Sequence, residues 1–335
     1  MTMNIALLMR KTDVQKEATH ITINAFAEEL KKKHNVFIVR GRSITDYRSE
    51  FKKIKERIDI IHAFAAAPLL AMNAIAVKRL QPSAKTVFTL KSYSRHPLGS
   101  LWFSPILNTI NAVTVPTNVY AEKIKHHGLK NKKIHIIRSS IDTEYFVPKK
   151  EVKKKNHKIV LYYGSLFSSK GVDYLIAASE QIRQAHPEAL IVIAPREGSN
   201  KELEQKVKDK KNIKIVPEIN VLDYVNLADI VVLPYTDLTA TEGNPSCMLE
   251  AVACKTAVIT TDLPELQEIF TYDEVMKVRP RNSAALAEAI NSLLSDGKKR
   301  KQMTENAYKK INEFDIRKIT KEFEGLYENI TTHPQ

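Results

Sequence analysis

The strongest constraint on the fold is an alternation of short, continuously apolar segments with amphipathic helical segments, which occurs twice along the chain. Apolar runs such as NIALLM and KTVFTL lack the apolar-polar alternation of a half-exposed strand, so each predicts a strand buried on both faces. Between them lie helical patterns such as THITINAFAEELKKK, in which Phe26 and Leu30 share one face. This arrangement predicts parallel sheets that are covered by helices on both sides.

Twelve such apolar segments fall into two groups of six. The first group is NIALLM, NVFIVR, DIIHAF, KTVFTL, AVTVPT and KIHIIR, and the second is KIVLYYG, ALIVIAP, NIKIVP, DIVVLPY, TAVITTD and EVMKV. A charged stretch without periodicity, from Val147 to Lys158, predicts a linker between them, and 335 residues exceed the usual size of one core. We therefore predict an α/β protein of two doubly wound parallel-sheet domains, residues 1–150 and 151–315, followed by a C-terminal helix over residues 316–335.

The cysteines and the apolar segments indicate the cellular compartment in which the protein is expected to function. Cys247 and Cys254 are seven positions apart in one helical segment, which separates them by about 10 Å, too far for a disulfide. The N-terminal MTMNIALLMRKTD fits a first strand better than a signal peptide, so we expect a reducing, cytoplasmic location. The uncharged segment from Ile60 to Val77 is interrupted by a histidine, a proline and an asparagine. It predicts a strand, a turn and a helix rather than a membrane span.

Charge is distributed unevenly along the chain. Residues 1–157 contain 29 Lys and Arg against 12 Asp and Glu, a net charge of +17, whereas residues 158–335 contain 23 against 26, a net charge of −3. The asymmetry predicts an anionic partner for the first domain, such as a membrane surface, a phosphorylated acceptor or nucleic acid. No nucleic-acid-binding motif accompanies it, and a lysine-rich solvated surface is the alternative explanation.

The segment YYGSLFSSKGVDYLIAA predicts a strand, a tight loop and a helix start. Gly164 ends the strand, and Lys170 and Gly171 begin the helix, with Ser169 as its predicted N-cap. Unpaired N–H groups and the positive end of the helix dipole suit an anion, and Lys170 adds a full charge. An ordinary strand-helix turn has the same composition, so this segment alone leaves both interpretations open.

A second helix start lies in the segment EGNPSCMLEA. Asn244 is predicted to cap this helix, and Pro245 is predicted to occupy its first position. The next N–H groups would then lack intrahelical partners. They belong to Ser246, Cys247 and Met248.

Two carboxylates flank the same helix start. Glu242 precedes the helix, and Glu250 lies inside it on the face of Ser246. A carboxylate can accept hydrogen bonds from both hydroxyls of a ribose, bare N–H groups suit a diphosphate, and a second carboxylate suits a sugar ring. One helix start could contact all three parts of a nucleotide sugar, although a capping acid and a surface glutamate would give the same pattern.

Three motifs occur together in the order and spacing of one enzyme family. They are the pair Glu242 and Glu250 ahead of Leu-Glu-Ala, the loop GSLFSSKG, and the segment IIRSSIDTEYFVP from Ile136 to Pro148. On these motifs the chain resembles family 4 of the retaining glycosyltransferases (glycosyl transferases group 1) over nearly its whole length. The resemblance implies the GT-B fold, in which two Rossmann-like domains face each other and the C-terminal helix crosses back to the first domain.

The resemblance also implies roles for individual residues. Glu250 would bind the ribose, Lys170 the donor diphosphate, and Glu242 would act as a catalytic residue beside the transferred sugar. The other implied donor contacts are Gly164, Ser165, Val216, Gly243, Asn244, Pro245, Ser246 and Cys247. No metal and no cofactor is implied, because lysine, arginine and the helix N-terminus would neutralise the leaving diphosphate.

The chain departs from the family pattern at several positions. Ser165 replaces the arginine of the loop, and Arg10 or Lys11 is the candidate replacement for that charge. Lys91 stands where the family has a histidine near the transferred sugar, so it is the second catalytic candidate, and Arg-Ser-Ser replaces Pro-Asn-Gly at residues 138–140. Donor binding is therefore better supported than catalysis. A GT-B sugar-nucleotide epimerase and a non-catalytic nucleotide-sugar or membrane-docking protein stay open as alternatives.

Two basic segments of the first domain, EELKKKHN and SEFKKIKERIDI, suggest peripheral contact with a membrane. Their lysines would attract an anionic bilayer, and Phe51 and Ile54 would anchor the second segment in it. We expect salt-sensitive binding to anionic membranes on the cytoplasmic face, where a lipid-linked or phosphorylated acceptor would be presented. The alternative is that Phe51 and Ile54 face the core.

Overall fold

A computed structural model describes most of the chain. The described residues are 2–11, 18–65, 69–91, 105–126, 128–130, 133–149, 157–196, 198, 201–238, 243 and 245–332. The chain divides into two compact units. The first unit comprises Met1–Ser140, Thr239–Gly243 and Phe314–Gln335, and the second comprises Ile141–Leu238 and Asn244–Glu313.

The first unit is a parallel six-stranded sheet with order β2-β1-β3-β4-β5-β6. Its strands are β1 (Asn4–Arg10), β2 (Asn35–Gly41), β3 (Ile60–Ala65), β4 (Lys85–Leu90), β5 (Ala112–Val115) and β6 (Ile134–Ile136). Its helices are α1 (Ala18–Lys31), α2 (Ile44–Phe51), α3 (Leu69–Lys78), α4 (Asn118–His126) and, from the C-terminus, α12 (Ile316–Thr332). Apolar clusters cover both faces of the sheet, which explains why its strands are continuously apolar.

The second unit is also a parallel six-stranded sheet, with order β12-β11-β10-β7-β8-β9. Its strands are β7 (Lys158–Gly164), β8 (Ala189–Pro195), β9 (Ile213–Ile215), β10 (Ile230–Leu233), β11 (Ala257–Thr261) and β12 (Met276–Val278). Its helices are α5 (Val172–Ala185), α6 (Lys201–Val207), α7 (Val221–Leu227), α8 (Ser246–Ala253), α9 (Pro264–Gln267), α10 (Ser283–Ser295) and α11 (Gly297–Tyr308). Each of the twelve predicted apolar segments forms a strand, so the predicted α/β fold with two parallel sheets is confirmed.

The N-terminal segment of the first unit ends at Ser140, ahead of the charged stretch. Residues 141–149 belong to the second unit because their backbone and side chains bind α7. The N–H of Lys149 donates to the Asn226 side chain at 2.7 Å, and the Asn226 amide donates to the Val147 carbonyl at 3.2 Å. The Lys149 ammonium also pairs with Asp223 at 2.5 Å.

The C-terminal helix α12 returns to the first unit, as the fold prediction required. The Phe323 ring packs edge-on against Phe26 of α1 at 5.1 Å between centroids. The Tyr327 hydroxyl lies 2.5 Å from Nδ1 of the buried His62 on β3. Aromatic packing and one buried polar contact therefore hold the last helix against α1 and the sheet.

The predicted membrane anchors are wrong. Phe51 is 1% exposed, and Ile54 packs against the same apolar core. Phe51 lies four residues after the buried Tyr47 on α2, so the amphipathic pattern of this segment reflects core packing. The ammonium of Lys53 meanwhile pairs with Glu50 at 2.6 Å.

The uncharged segment from Ile60 to Val77 contributes β3 and α3, as predicted, with residues 66–68 outside the described part of the chain. Within the described residues, no helix combines the length and the apolar character that crossing a bilayer requires. Cys247 and Cys254 are both free thiols, in agreement with their predicted separation.

Candidate functional site

The strand order of the second unit creates a topological switch point between β7 and β10. Chain order runs outward from β7 through β8 to β9 on one side and from β10 through β11 to β12 on the other. The strand order therefore reverses between β7 and β10, and the loops that follow these two strands lie at the carboxyl edge of the sheet. In open α/β sheets this edge is where ligands bind.

The loop after β7 is fixed against the end of β10. Gly171 adopts a left-handed backbone with φ of 71°, and a Cβ atom there would lie 1.8 Å from the carbonyl oxygen of Pro234. The Thr236 N–H donates to the Ser169 carbonyl at 2.9 Å. Only glycine fits at position 171, and the short 3₁₀ turn Ser168–Lys170 is held rigidly in front of it.

The helix after this loop starts later than predicted. Gly171 occupies the N-cap position of α5, without a side-chain cap, and Ser169 lies in the preceding 3₁₀ turn. The predicted N-cap at Ser169 is therefore wrong. The close approach of Gly171 to Pro234 excludes a Cβ atom, and the left-handed backbone of this glycine ends the turn before the helix begins.

The start of α8 also differs from the prediction. Pro245 is the N-cap residue rather than the first helical residue, and the helix begins at Ser246. The Met248 N–H donates to the Pro245 carbonyl at 3.0 Å, so it is not among the unpaired donors. Ser246 and Cys247 occupy the first two helical positions, whose N–H groups have no intrahelical acceptor.

Glu250 is held in place by Tyr163, the penultimate residue of β7. The Tyr163 hydroxyl donates to Oε2 of Glu250 at 2.8 Å and lies 3.0 Å from the Cys247 carbonyl oxygen. Burial, together with the adjacent Glu250 carboxylate, raises the pKa of Tyr163 well above its usual value. The phenol is therefore a permanent donor, and it orients a half-buried carboxylate at the switch point.

Two cations lie within electrostatic reach of the first turn of α8. Burial and the Glu250 carboxylate raise the pKa of the Cys247 thiol to about 12, while the charges of Arg196 and Lys170 oppose the rise. The Lys170 ammonium also lies 5.2 Å from the centroid of the buried Tyr235 ring, which follows β10. Lys170 and Arg196 thus lie close enough to the predicted helix start for their charges to act on it.

Sequence reasoning placed the segment VIAPREG near the nucleotide base but gave its Arg196 no role in binding the diphosphate. Arg196 directly follows β8, and its N–H donates to the Gly164 carbonyl at 2.9 Å, so it adjoins the end of β7. The sequence feature that could have indicated Arg196 is its position immediately after a buried strand, in VIAPREG. Its relevance depends on β8 being the direct neighbour of β7, which the sequence does not reveal.

The other predicted donor residues of the second unit lie along the same edge. Gly164 ends β7 with φ of 142°, and the Ser165 carbonyl accepts a hydrogen bond from the Tyr162 hydroxyl at 2.5 Å. Ser165 is buried and contributes no positive charge. Val216 follows β9, and its N–H donates to the Ile193 carbonyl at 2.9 Å.

Glu242 and Asn244 lie outside the described residues. Gly243 belongs to the first unit, where a Cβ atom would lie 2.6 Å from Pro116 and 2.8 Å from Tyr120. Close packing therefore requires glycine at position 243.

Lys91 lines a separate cavity within the first unit. It follows β4, and the cavity opens beside the carboxyl ends of β3, β4 and β5. The cavity has a volume of about 40 Å³, and Arg138, Ser139 and Ser140 also line it. The lysine and the Arg-Ser-Ser triplet, two departures from the family pattern, thus share one cavity.

Two such parallel sheets with flanking helices are the architecture of the GT-B fold. The chain superposes on sucrose-phosphate synthase from Thermosynechococcus elongatus with a TM-score of 0.84 and 18% identity, covering 98% of this chain and 99% of that one. HepE of Anabaena, solved in complex with UDP and glucose, gives a TM-score of 0.82 at 14% identity, covering 98% of this chain and 100% of that one.

Sequence comparison identifies the family. The profile of glycosyl transferases group 1 matches residues 145–310, and that of glycosyltransferase family 4 matches residues 20–145. The chain belongs to the glycosyl transferases group 1 family.

Curated relatives of this family are longer than the chain. The gpi3 subunit of a phosphatidylinositol N-acetylglucosaminyltransferase from Schizosaccharomyces pombe is 24% identical over 287 residues, which cover 83% of this chain and 62% of that protein. The chain spans about half to two thirds of the length of the first relatives it matches.

Proposed function

We propose that this protein is a retaining glycosyltransferase that moves a sugar from a nucleotide-sugar donor to an acceptor without a metal or a cofactor. One observation carries the proposal. Lys170, Arg196 and the start of α8 lie together at the switch point of the second unit, beside a carboxylate that Tyr163 orients. This combination matches the separate chemical needs of a diphosphate and a ribose.

The diphosphate would bind at the start of α8. The N–H groups of Ser246 and Cys247 present the positive end of the helix dipole. Lys170 and Arg196 add two full charges, which would stabilise the negative charge that develops on the leaving nucleoside diphosphate. Arg196 would supply the charge that Ser165 lacks, a role for which the sequence had suggested Arg10 or Lys11.

The ribose and the base would extend along the same sheet edge. Glu250 would accept hydrogen bonds from the ribose hydroxyls, with Tyr163 fixing the carboxylate. The base would lie near Val216, at the end of β9. The sugar would face Glu242, and Lys91 would act as the second catalytic residue, as the family resemblance implies.

The names of relatives support the donor and acceptor classes. HepE was solved with UDP and glucose, and gpi3 belongs to a transferase named for phosphatidylinositol. We extend these classes to this chain: a nucleotide sugar as donor, and a lipid-linked or phosphorylated acceptor. Peripheral contact of the basic first unit with an anionic cytoplasmic membrane surface is part of the same proposal.

A donor panel tests the proposal. The protein is incubated with UDP-, GDP- and ADP-sugars, and both nucleotide release and thermal shift are measured. Release from one donor supports a transferase and names its base, and nuclear magnetic resonance of the product reports the anomeric configuration. Binding without release would identify a non-catalytic binder, an isomerised nucleotide sugar would identify an epimerase, and no response to any donor would overturn the proposal.

A further inference from the structure

We propose that the cavity of the first unit binds a phosphate group of the acceptor between Lys91 and Arg138. This inference rests on the proposed transferase function and specifies its acceptor. Lys91 follows β4 and Arg138 follows β6, and both side chains line the same cavity. Two cations at one small cavity suit a multiply charged anion, because each can donate charge-assisted hydrogen bonds to its oxygens.

The walls of the cavity add hydrogen-bonding groups without adding negative charge. Ser139, Ser140 and Thr89 carry hydroxyls, and among the described residues no carboxylate lines the cavity. Glu322 of α12 is close enough for Arg138 to lower its pKa, against the rise that burial causes. Glu322 is not part of the cavity lining, and the charged side chains among the described lining residues, Lys91 and Arg138, are both basic.

A buried hydrogen-bond network fixes one wall of the cavity. The Thr89 hydroxyl lies 2.7 Å from Nε2 of His62 and 2.6 Å from the Thr114 hydroxyl. His62 is in turn 2.5 Å from the Tyr327 hydroxyl of α12. The network spans three neighbouring strands and the C-terminal helix, so the cavity wall is rigid before any ligand binds.

Arg138 is also held from outside the cavity. Its guanidinium lies 5.3 Å from the centroid of the Phe314 ring, which limits the positions the side chain can take. The guanidinium presents a planar fork of donors, and the Lys91 ammonium is a compact point charge. Together they suit the tetrahedral oxygens of a phosphate better than a single planar carboxylate.

The cavity volume limits what part of the acceptor can enter. At about 10–15 Å³ for a water-sized group, a cavity of about 40 Å³ holds roughly three such groups. This space admits roughly three oxygens of a phosphate group and excludes a whole sugar or a lipid tail. The rest of the acceptor would lie outside the cavity, which leaves two sources for the phosphate: a soluble sugar phosphate or a phospholipid headgroup.

Phosphate binding is measured by calorimetry with glycerol 3-phosphate, with and without the nucleoside diphosphate that the donor panel identifies. Saturating the donor site prevents the probe from binding at Lys170. We expect the variant Lys91→Gln/Arg138→Gln to bind glycerol 3-phosphate at least about tenfold more weakly than wild type, because it lacks two charge-assisted donors. The conservative variant Arg138→Lys should keep most of the affinity.

The matched control is Lys53→Gln/Arg79→Gln. It removes the same charge from the first unit at two exposed positions that do not line the cavity, and it should bind the probe like wild type. Vesicles of equal parts phosphatidylcholine and phosphatidic acid form the second arm. Binding to vesicles without binding to glycerol 3-phosphate would assign the site to a lipid phosphate, and the reverse result would assign it to a soluble one.

The proposal is overturned if wild type binds neither probe, or if the cavity variant and its control bind equally. Thermal melts establish that both variants fold. If the double variant does not fold, the two single variants replace it, and unchanged affinity in both overturns the proposal. Nucleotide binding is measured separately. The experiment therefore distinguishes a protein that binds phosphate but no nucleotide from one that binds nucleotide but no phosphate.

Discussion

The Tyr163 hydroxyl, at the end of β7, lies 2.8 Å from Oε2 of Glu250 on α8. This contact joins two elements that are distant in sequence, and it acts on the carboxylate proposed to bind the ribose. The raised pKa of Tyr163, caused by burial and by Glu250, keeps the phenol protonated. Tyr163 is therefore a positioning residue for Glu250.

Replacing Tyr163 by phenylalanine should weaken nucleotide binding by about tenfold. This hydrogen bond exists with and without ligand, so the loss of affinity comes from the freed Glu250 carboxylate leaving the orientation that the ribose requires. A tenfold loss corresponds to about 1.4 kcal/mol of binding free energy. Calorimetry with the nucleotide measures the change. A 2′,3′-dideoxy nucleotide serves as the ligand control, because it lacks the diol and should bind wild type and variant alike. Equal losses for both ligands would contradict the positioning role.

Glu250→Ala should weaken nucleotide binding more than Tyr163→Phe does. The ribose hydroxyls lose their acceptor, and the loss of such charged hydrogen bonds is worth about 1.5–3 kcal/mol, with or without a sugar on the nucleotide. Titration of the free nucleotide measures it. Glu202→Ala removes an exposed carboxylate of the same unit and should leave affinity unchanged. Wild-type affinity in the Glu250 variant would remove this residue from the site.

Lys170→Ala should discriminate between ligands by their charge. Its ammonium is proposed to face the diphosphate, so binding of a nucleoside diphosphate should fall at least about tenfold, while binding of the nucleoside should change little. Lys298→Ala removes an exposed lysine on α11 and is the matched control. Similar losses for nucleoside and diphosphate would indicate that the turn had collapsed instead.

The fold could be predicted because a strand that is buried on both faces of a sheet has a continuously apolar sequence. Every continuously apolar run, from NIALLM to EVMKV, became a parallel strand. The same reasoning failed at Phe51 and Ile54, since an amphipathic helix looks alike whether its apolar side meets a core or a bilayer. The sequence pattern shows that a helix has an apolar face, but it does not show whether a protein core or a bilayer covers that face.

The site was only partly predictable, since two of its features depend on tertiary neighbours. The backbone of Gly171 is set by Pro234, more than sixty positions away along the chain, so the helix start was misplaced at Ser169. Arg196 enters the site because β8 pairs with β7. Lys170 and Glu250 could be predicted as site residues because each belongs to a short motif that is local in the sequence.

Gly171→Ala should destabilise the second unit strongly. A left-handed backbone costs alanine about 1–2 kcal/mol, and the new Cβ would also lie 1.8 Å from the Pro234 carbonyl oxygen. Gly198→Ala is the matched control, because Gly198 has φ of 80° but nothing within 4 Å of a Cβ atom. Urea denaturation should therefore show a clearly larger loss at position 171. Equal losses at the two positions would mean that the turn is not fixed by Pro234.

The buried His62 should make the stability of the first unit depend on pH. Burial, and then the nearby charge of Lys91, lower the pKa of His62 well below its usual 6.5. His62 stays neutral in the folded state between Tyr327 and Thr89, whereas the unfolded chain takes up a proton below about pH 6.5. Its contribution to stability is therefore complete above that pH. It is lost as the pH falls towards the folded pKa, by at most about 1.4 kcal/mol per pH unit.

The variant His62→Gln isolates this effect, because glutamine does not titrate. Urea denaturation of wild type and variant at several pH values between about 5 and 8 measures the difference in unfolding free energy. Wild type should lose its advantage over the variant as the pH falls below about 6.5, and above about pH 7.5 the difference should be constant. A difference that does not change with pH would show that His62 keeps its ordinary pKa, and that it is not held neutral by the buried network.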